Sequence, residues 1–215
     1  MSRTITPQRM RDEARALLRS MIVEGGLAPA THIEEVKLSQ QIGASRTPVR
    51  EALIALEGEG LVQSAPRKGF VVVEPNAALV RESFPILSAL EGMAVRISGA
   101  ALKTAAPQLR RINEALARER KKARQYDLDR AFHVALTKHC GNRRLLMLLE
   151  AERARAQLID GAHQKGMANL KGSVEEHNEI IAALERGNAD GAALVLARHW
   201  DNGINVVVKW LSEKS

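Results

Sequence analysis

Four side chains in the second half of the chain could together hold a metal ion. Asp129 and His133 are four residues apart, so in a helix they share one face. Leu136 and Cys140 continue that face inward. His177 and His199 each lie 11 residues from Asn188, the centre of the turn expected between their helices. At about 1.5 Å per residue, both stand about 16 Å from that turn, level with each other in an antiparallel pair. His177 shares its face with Ile180, Ile181 and Leu184, and His199 with Ala192, Val195 and Leu196. Three imidazoles and a carboxylate suit Zn2+, Ni2+ or Mn2+. A lone histidine is more often an ordinary core or surface residue, and His32, His139 and His163, which lack this fit, are read that way. Two other functions use the same residues. A zinc hydrolase would need a general base near the ion. Glu176 adjoins His177 but points about 100° away on a helix, so no catalytic residue is assigned. A purely structural ion is the other alternative.

A second group of residues could read duplex DNA. Arg46 and Arg50 are four apart and share a face, with Ser45 and Thr47 beside them. Arginine grips guanine O6 and N7, or a phosphate, with two bonds. The free N–H groups of a helix starting at Ser45 also favour a phosphate. Arg67 and Lys68 form a basic tip that could enter the adjacent minor groove, and Gly69 would permit close approach.

The elements that must carry these groups follow from patterning. A first helix is expected from Thr6-Pro7 to Gly25-Gly26, with Met10, Ala14, Leu17, Leu18 and Met21 on its apolar face. A short helix from about Glu34 to Ile42 ends at Gly43, and another runs from Ser45 to about Gly58. Pro48 fits its first turn, where N–H groups have no intrahelical partner. Leu61–Ser64 and Gly69–Val73 read as the two strands of a hairpin. Three helices and a basic-tipped hairpin make a winged helix-turn-helix over residues 1–75. Glu74-Pro75-Asn76 is the expected domain boundary. Beyond it, helical patterns occupy about 77–103, 107–122, 126–140, 142–164, 173–186 and 189–211, with breaks at Pro107, Gln125-Tyr126, Gly141, Gly166 to Gly172 and Gly187-Asn188. Pro85 is expected to kink the first helix or delay its start. The fold class is therefore mainly α: a winged helix-turn-helix followed by an all-α six-helix bundle over residues 76–215.

Composition narrows the classes further. The chain has 215 residues and a formal net charge of +7, yet residues 1–75 hold 10 basic and 9 acidic side chains. The excess lies in the second half, much of it in Arg118–Arg124, so bulk charge does not locate the reading element. Six aromatic residues are too few for a platform that stacks single-stranded bases. A single cysteine excludes a disulfide framework and fits a reducing compartment. No apolar run approaches the roughly 18 residues of a membrane span, and the N-terminus is not a signal peptide.

The stretch Ser45-Arg46-Thr47-Pro48-Val49-Arg50-Glu51-Ala52-Leu53, followed by Leu56-Glu57 and Glu59-Gly60-Leu61-Val62, resembles the signature of the GntR family of bacterial transcription regulators. The resemblance covers about residues 10–75. It implies a cytoplasmic, bacterial homodimer on a pseudo-palindromic operator in double-stranded DNA, and no enzymatic activity. Where some relatives place a DNA-contacting arginine early in the second helix, this chain has Val36. Residues about 77–211 resemble the all-helical FCD effector domain of the FadR-type members, in its shorter VanR-like branch. Asp129, His133, His177, His199 and Gly141-Asn142 match its pattern. This implies a divalent metal, zinc first, and a small organic acid beside it, with repression relieved by ligand as the commoner behaviour. Leu87 stands where relatives often carry an arginine facing the effector. The effector is then larger, less acidic, or held through the metal and another arginine, with Arg130, Arg153 and Arg155, beside Asn142, as candidates.

Overall fold

The computed structural model describes residues 7–66, 69–163 and 171–213, and among these it holds nine helices and three short strands. The chain separates into two compact units. One comprises Met1–Pro75 with Gln157–Ala162, and the other Asn76–Ala156 with His163–Ser215. One division falls between Pro75 and Asn76.

In the first unit α1 spans Pro7–Val23, α2 Glu35–Ile42 and α3 Arg46–Gly58. Helix α1 buries Ala14, Leu18 and Ile22, a row at spacing four, in a core shared with Val49, Ala52, Leu53 and Leu56 of α3. That row is rotated from the expected stripe, since Leu17 is exposed and Met10 and Met21 are only half-buried. Thr6, the expected cap, lies outside the described residues. Gly43 closes α2 at φ 67°, where its N–H meets the carbonyls of Gln40 and Ser39. A left-handed residue here lets α3 leave at a new angle after only two more residues. Ser45 is extended at the N-cap of α3, but its side chain makes no capping bond.

The wing has one strand more than patterning suggests. Strands β2 (Val62–Ala65) and β3 (Gly69–Val72) pair antiparallel, with Val62 opposite Val72 and Ala65 opposite Gly69. Strand β1, His32–Ile33, adds to the far side of β3, giving the order β1-β3-β2. Two residues cannot show alternation, and their partners lie about forty positions away, so no local signal could reveal this strand. His32 is accordingly an exposed strand residue. Arg67 and Lys68 lie outside the described residues. Glu59, nearly buried at the end of α3, is held by Arg15 and Arg19 of α1.

The second unit is all helix: α4 Ala77–Ser98, α5 Ala101–Arg118, α6 Lys122–Thr137, α7 Arg143–His163, α8 Lys171–Glu185 and α9 Ala189–Ser212. Asn76 and Asn188 cap α4 and α9 by accepting from the N–H groups of Leu79 and Gly191. The first break comes at Gly99, not at Pro107, which sits inside α5; Pro85 likewise sits inside α4. Both prolines are on exposed faces, where the carbonyl each leaves unbonded can reach water. The expected loop from Gly166 lies largely outside the described residues, as does the side chain of His163. Val95, Leu102, Leu109, Phe132, Leu136, Ile180, Ile181, Leu184 and Leu196 form the core. Among the described residues no helix is long and apolar enough to cross a membrane.

A methyl group added at Gly43 or at Gly58 would meet nothing within 4 Å. Gly43→Ala is expected to destabilise the first unit by about 1 kcal/mol, purely through its left-handed backbone. Gly58→Ala, within a helix, is expected to be neutral or stabilising by up to about 1 kcal/mol. Urea unfolding of the two variants side by side checks the difference.

Candidate functional site

Helices α6, α8 and α9 bring the four expected ligands together. One ligating atom from each of Asp129, His133, His177 and His199 lies within 4.8 Å of all the others. The i,i+4 spacing on α6 puts Asp129 Oδ2 3.9 Å from His133 Nε2, and Asp129 Oδ1 is 3.7 Å from His177 Nε2. His133 Nε2 and His199 Nε2 are 3.2 Å apart. The apolar faces that carry His177 and His199 are those of the core, and Phe132 stacks on His177 with ring centroids 3.7 Å apart. The three histidines are buried, and Asp129 is 21% exposed.

Each imidazole is anchored by its other nitrogen. His133 Nδ1 donates to Glu91 Oε2 at 2.7 Å, and His199 Nδ1 donates to Glu176 Oε2 at 2.8 Å. His177 Nδ1 lies 3.1 Å from Asn113 Oδ1. The Asn113 amide already spends its N–H groups on the Val174 carbonyl and Asn178 Oδ1, so its oxygen must accept from His177. Each ring therefore carries a proton at Nδ1 and aims its Nε2 at the centre, where it offers a lone pair whenever the ring is neutral. Two such lone pairs at 3.2 Å repel unless a cation or proton lies between them. His177 Nε2 and Asp129 Oδ1 are buried without a hydrogen-bond partner. Buried polar atoms are rarely left so, and a missing ion is one of the few physical explanations.

Burial works against charge on His133, yet Glu91 and then Asp129 raise its imidazole above the ordinary value, so a cation at the centre would compete there with a proton. Burial works against charge on Glu91, but His133 and Arg153 outweigh it and hold its carboxyl down at about 2. Burial, then the charges of His133 and His199, push the His177 imidazole well below its ordinary value, which keeps a lone pair free. Three carboxylates, Asp129, Glu91 and Glu176, face one guanidinium, Arg153, in this bonded shell. A divalent cation offsets that excess.

Sequence reasoning did not single out Glu91 or Asn113, and it saw Glu176 only as an unsuitable base. In the structure Glu176 accepts from His199 Nδ1 and from Asn202, so its carboxylate orients a ligand. The signal was present in part, because a polar residue inside an apolar helical stripe, as at Glu91 and Asn113, demands a buried partner.

The expected effector contacts do not gather. Arg130 is exposed and paired with Asp127. Asn142 caps α7 by accepting from the Leu145 N–H. Arg155 pairs with Glu152. Arg153 is largely buried, and its Nε and Nη2 bond Glu91, the His133 carbonyl and Thr137. Leu87, one turn before Glu91, is buried.

In the first unit Ser45, Arg46, Thr47 and Arg50 are all exposed at the start of α3, with Pro48 and Val49 turned inward. Arg50 Nη1 rests 3.3 Å from Glu35 Oε1. Gly69, at φ 72°, opens β3 next to the wing tip. Val36 is an exposed apolar residue on α2.

An exposed recognition helix with a wing, followed in the chain by a helical bundle that encloses a polar donor cluster, fits the class of DNA-binding regulators with a second, helical domain. Residues 10–72 match the family model of bacterial regulatory proteins of the gntR family, and residues 82–202 match the FCD domain. The chain belongs to the GntR family, as a member of its FCD-bearing type, and is a DNA-binding transcription regulator, not an enzyme. It is 30% identical over 189 residues to the HTH-type transcriptional regulator in unstable DNA locus of Streptomyces ambofaciens, covering 85% of this chain and 78% of that one. It is 28% identical over 187 residues to the HTH-type transcriptional repressor RspR of Escherichia coli, covering 85% and 82%. Its fold is similar to that of E. coli McbR/YncC, with a TM-score of 0.77, 25% identity and coverage of 94% and 98%.

Arg46→Ala and Arg50→Ala are each expected to weaken binding to a genomic fragment selected by the wild-type protein at least tenfold, or about 1–3 kcal/mol. Helix content by circular dichroism stays unchanged. Fluorescence anisotropy of the labelled fragment measures the loss.

Proposed function

We propose that this regulator is a ligand-responsive repressor that binds a pseudo-palindromic operator as a homodimer. Its bundle holds one divalent ion, zinc before nickel or manganese, through Asp129, His133, His177 and His199. The observation that carries the metal reading is the convergence of three Nε2 lone pairs and a carboxylate, with His177 Nε2 and Asp129 Oδ1 buried and unpartnered. A divalent ion there supplies positive charge and coordination positions that the carboxylate of a small organic acid can fill. The FCD match supports a small-molecule effector, and the likeness to the repressor RspR supports repression.

The chain's own residues do the positioning. Glu91, Asn113 and Glu176 orient the three rings, and burial keeps competing water away. On the DNA side Ser45, Arg46, Thr47 and Arg50 present the reading face, with Gly69 at the turn end of the wing and Arg67 and Lys68, which precede it in the sequence, as the basic groups. An effector alters operator affinity only through different affinity for two arrangements of the regulator. A structural ion without effector is the second reading, favoured by the way the donors tie α6, α8 and α9 together.

Native mass spectrometry with elemental analysis tests both. One ion per chain is expected in the wild type, and less than about a tenth of that in His177→Ala, given the loss of one of four donors. A dimer mass is expected in both. Operator affinity is then measured with a panel of mono-, di- and tricarboxylates. A shift of about 5–150-fold by one of them supports the sensing role. If chelation melts the bundle and none of the panel shifts affinity, the ion is structural.

A further inference from the structure

Glu91 lies on α4, outside the four-residue donor set, and is the most deeply buried carboxylate among the described residues. An ionised carboxylate in such a place is costly unless it is paired and fully bonded. Its two oxygens collect donors from three other helices. Oε2 receives His133 Nδ1 of α6 at 2.7 Å and Trp200 Nε1 of α9 at 3.1 Å. Oε1 receives Arg153 Nε and Nη2 of α7 at 3.2 and 2.7 Å. Arg153 Nη2 also donates to the His133 carbonyl at 2.9 Å and to Thr137 Oγ1 at 2.6 Å. His133 is thereby gripped at its ring and at its backbone by a single ion pair. His177 and His199 have one ring anchor each.

We propose that Glu91, oriented by Arg153, is a positioning residue that fixes the ring and tautomer of His133 and so sets the affinity of the donor set for a divalent cation. The inference rests on the metal reading above. An amide at this position cannot replace the carboxylate. It offers one accepting oxygen where Glu91 receives donors on both, and its N–H groups would face either Arg153 or the His133 and Trp200 donors. The ring of His133 would then be free to turn its Nε2 from the centre.

Metal-free protein is titrated with cobalt(II) against a chromophoric chelator, and the d–d bands are recorded. Glu91→Gln is expected to bind cobalt about 10–100-fold more weakly than the wild type, with altered bands. A slowly exchanging His133 Nδ1–H resonance, present in the wild type, is expected to vanish. Arg153→Lys keeps the charge but loses the two-pronged grip, and about a three- to tenfold loss is expected. Should Glu91→Gln fail to fold, Arg153→Lys decides alone. Wild-type protein that takes neither cobalt nor zinc overturns the metal reading and this inference with it. Wild-type binding with both variants within twofold of it, and the His133 resonance unchanged, overturns the role of Glu91 while leaving the metal reading standing.

Discussion

Three imidazole lone pairs and a carboxylate aimed at one buried point form the constraint around which the bundle is built. Such a point is unfavourable by itself, because Nε2 atoms 3.2 Å apart repel and the carboxylate loses water. The surrounding residues do not relieve that tension but enforce it. Glu91, Asn113 and Glu176 each accept from the outer nitrogen of a ring, which aims the inner nitrogen at the centre, where a cation or a second proton can bind. Three helices supply groups to this arrangement besides the three that carry the ligands' own side chains, with α4, α5 and α7 contributing Glu91, Asn113 and Arg153. A cation at the centre would convert the same repulsions into coordination, which would make the bundle's packing and its ligand chemistry one problem.

The DNA-binding unit solves a different problem with few charges. Its basic and acidic residues almost cancel, and its acids are spent internally. Glu59 holds Arg15 and Arg19 against the end of α3, and Glu57 accepts from the Ser64 N–H at the start of the wing. What remains exposed at the front of α3 is a small set, Ser45 to Thr47 and Arg50, on a helix whose opposite face is locked by Val49, Leu53 and Leu56. Placement, not net charge, makes this unit a reader of duplex DNA. The larger basic excess of the second half has a general electrostatic reach only.

Most of the element order was legible from periodicity and punctuation. Gly43, Asn76, Gly141 and Asn188 mark real ends because each meets a local backbone demand that any neighbourhood would impose. Pro107 misled because a proline on an exposed helix face costs less than one facing the core. Strand β1 was invisible because it exists only through its partner β3. The convergence of Asp129, His133, His177 and His199 was legible because helical spacing and the level of two antiparallel helices depend on counting residues. The rings' anchors were not, since Glu91 and Asn113 lie 42 and 64 residues from the histidines they hold.

The sequence by itself determined the helix-turn-helix, the all-helical second half and the family, and it pointed to four side chains that the fold brings within 4.8 Å of one another. These rest on short-range spacing and on motifs whose geometry is nearly independent of context. Only the tertiary structure decided that Arg153 bonds Glu91, that Glu176 accepts from His199, and that each histidine has its Nδ1 against a buried acceptor. Such roles are settled by which buried donor meets which buried acceptor. That matching is enforced by the cost of leaving either one unpaired, and it is made between helices far apart along the chain.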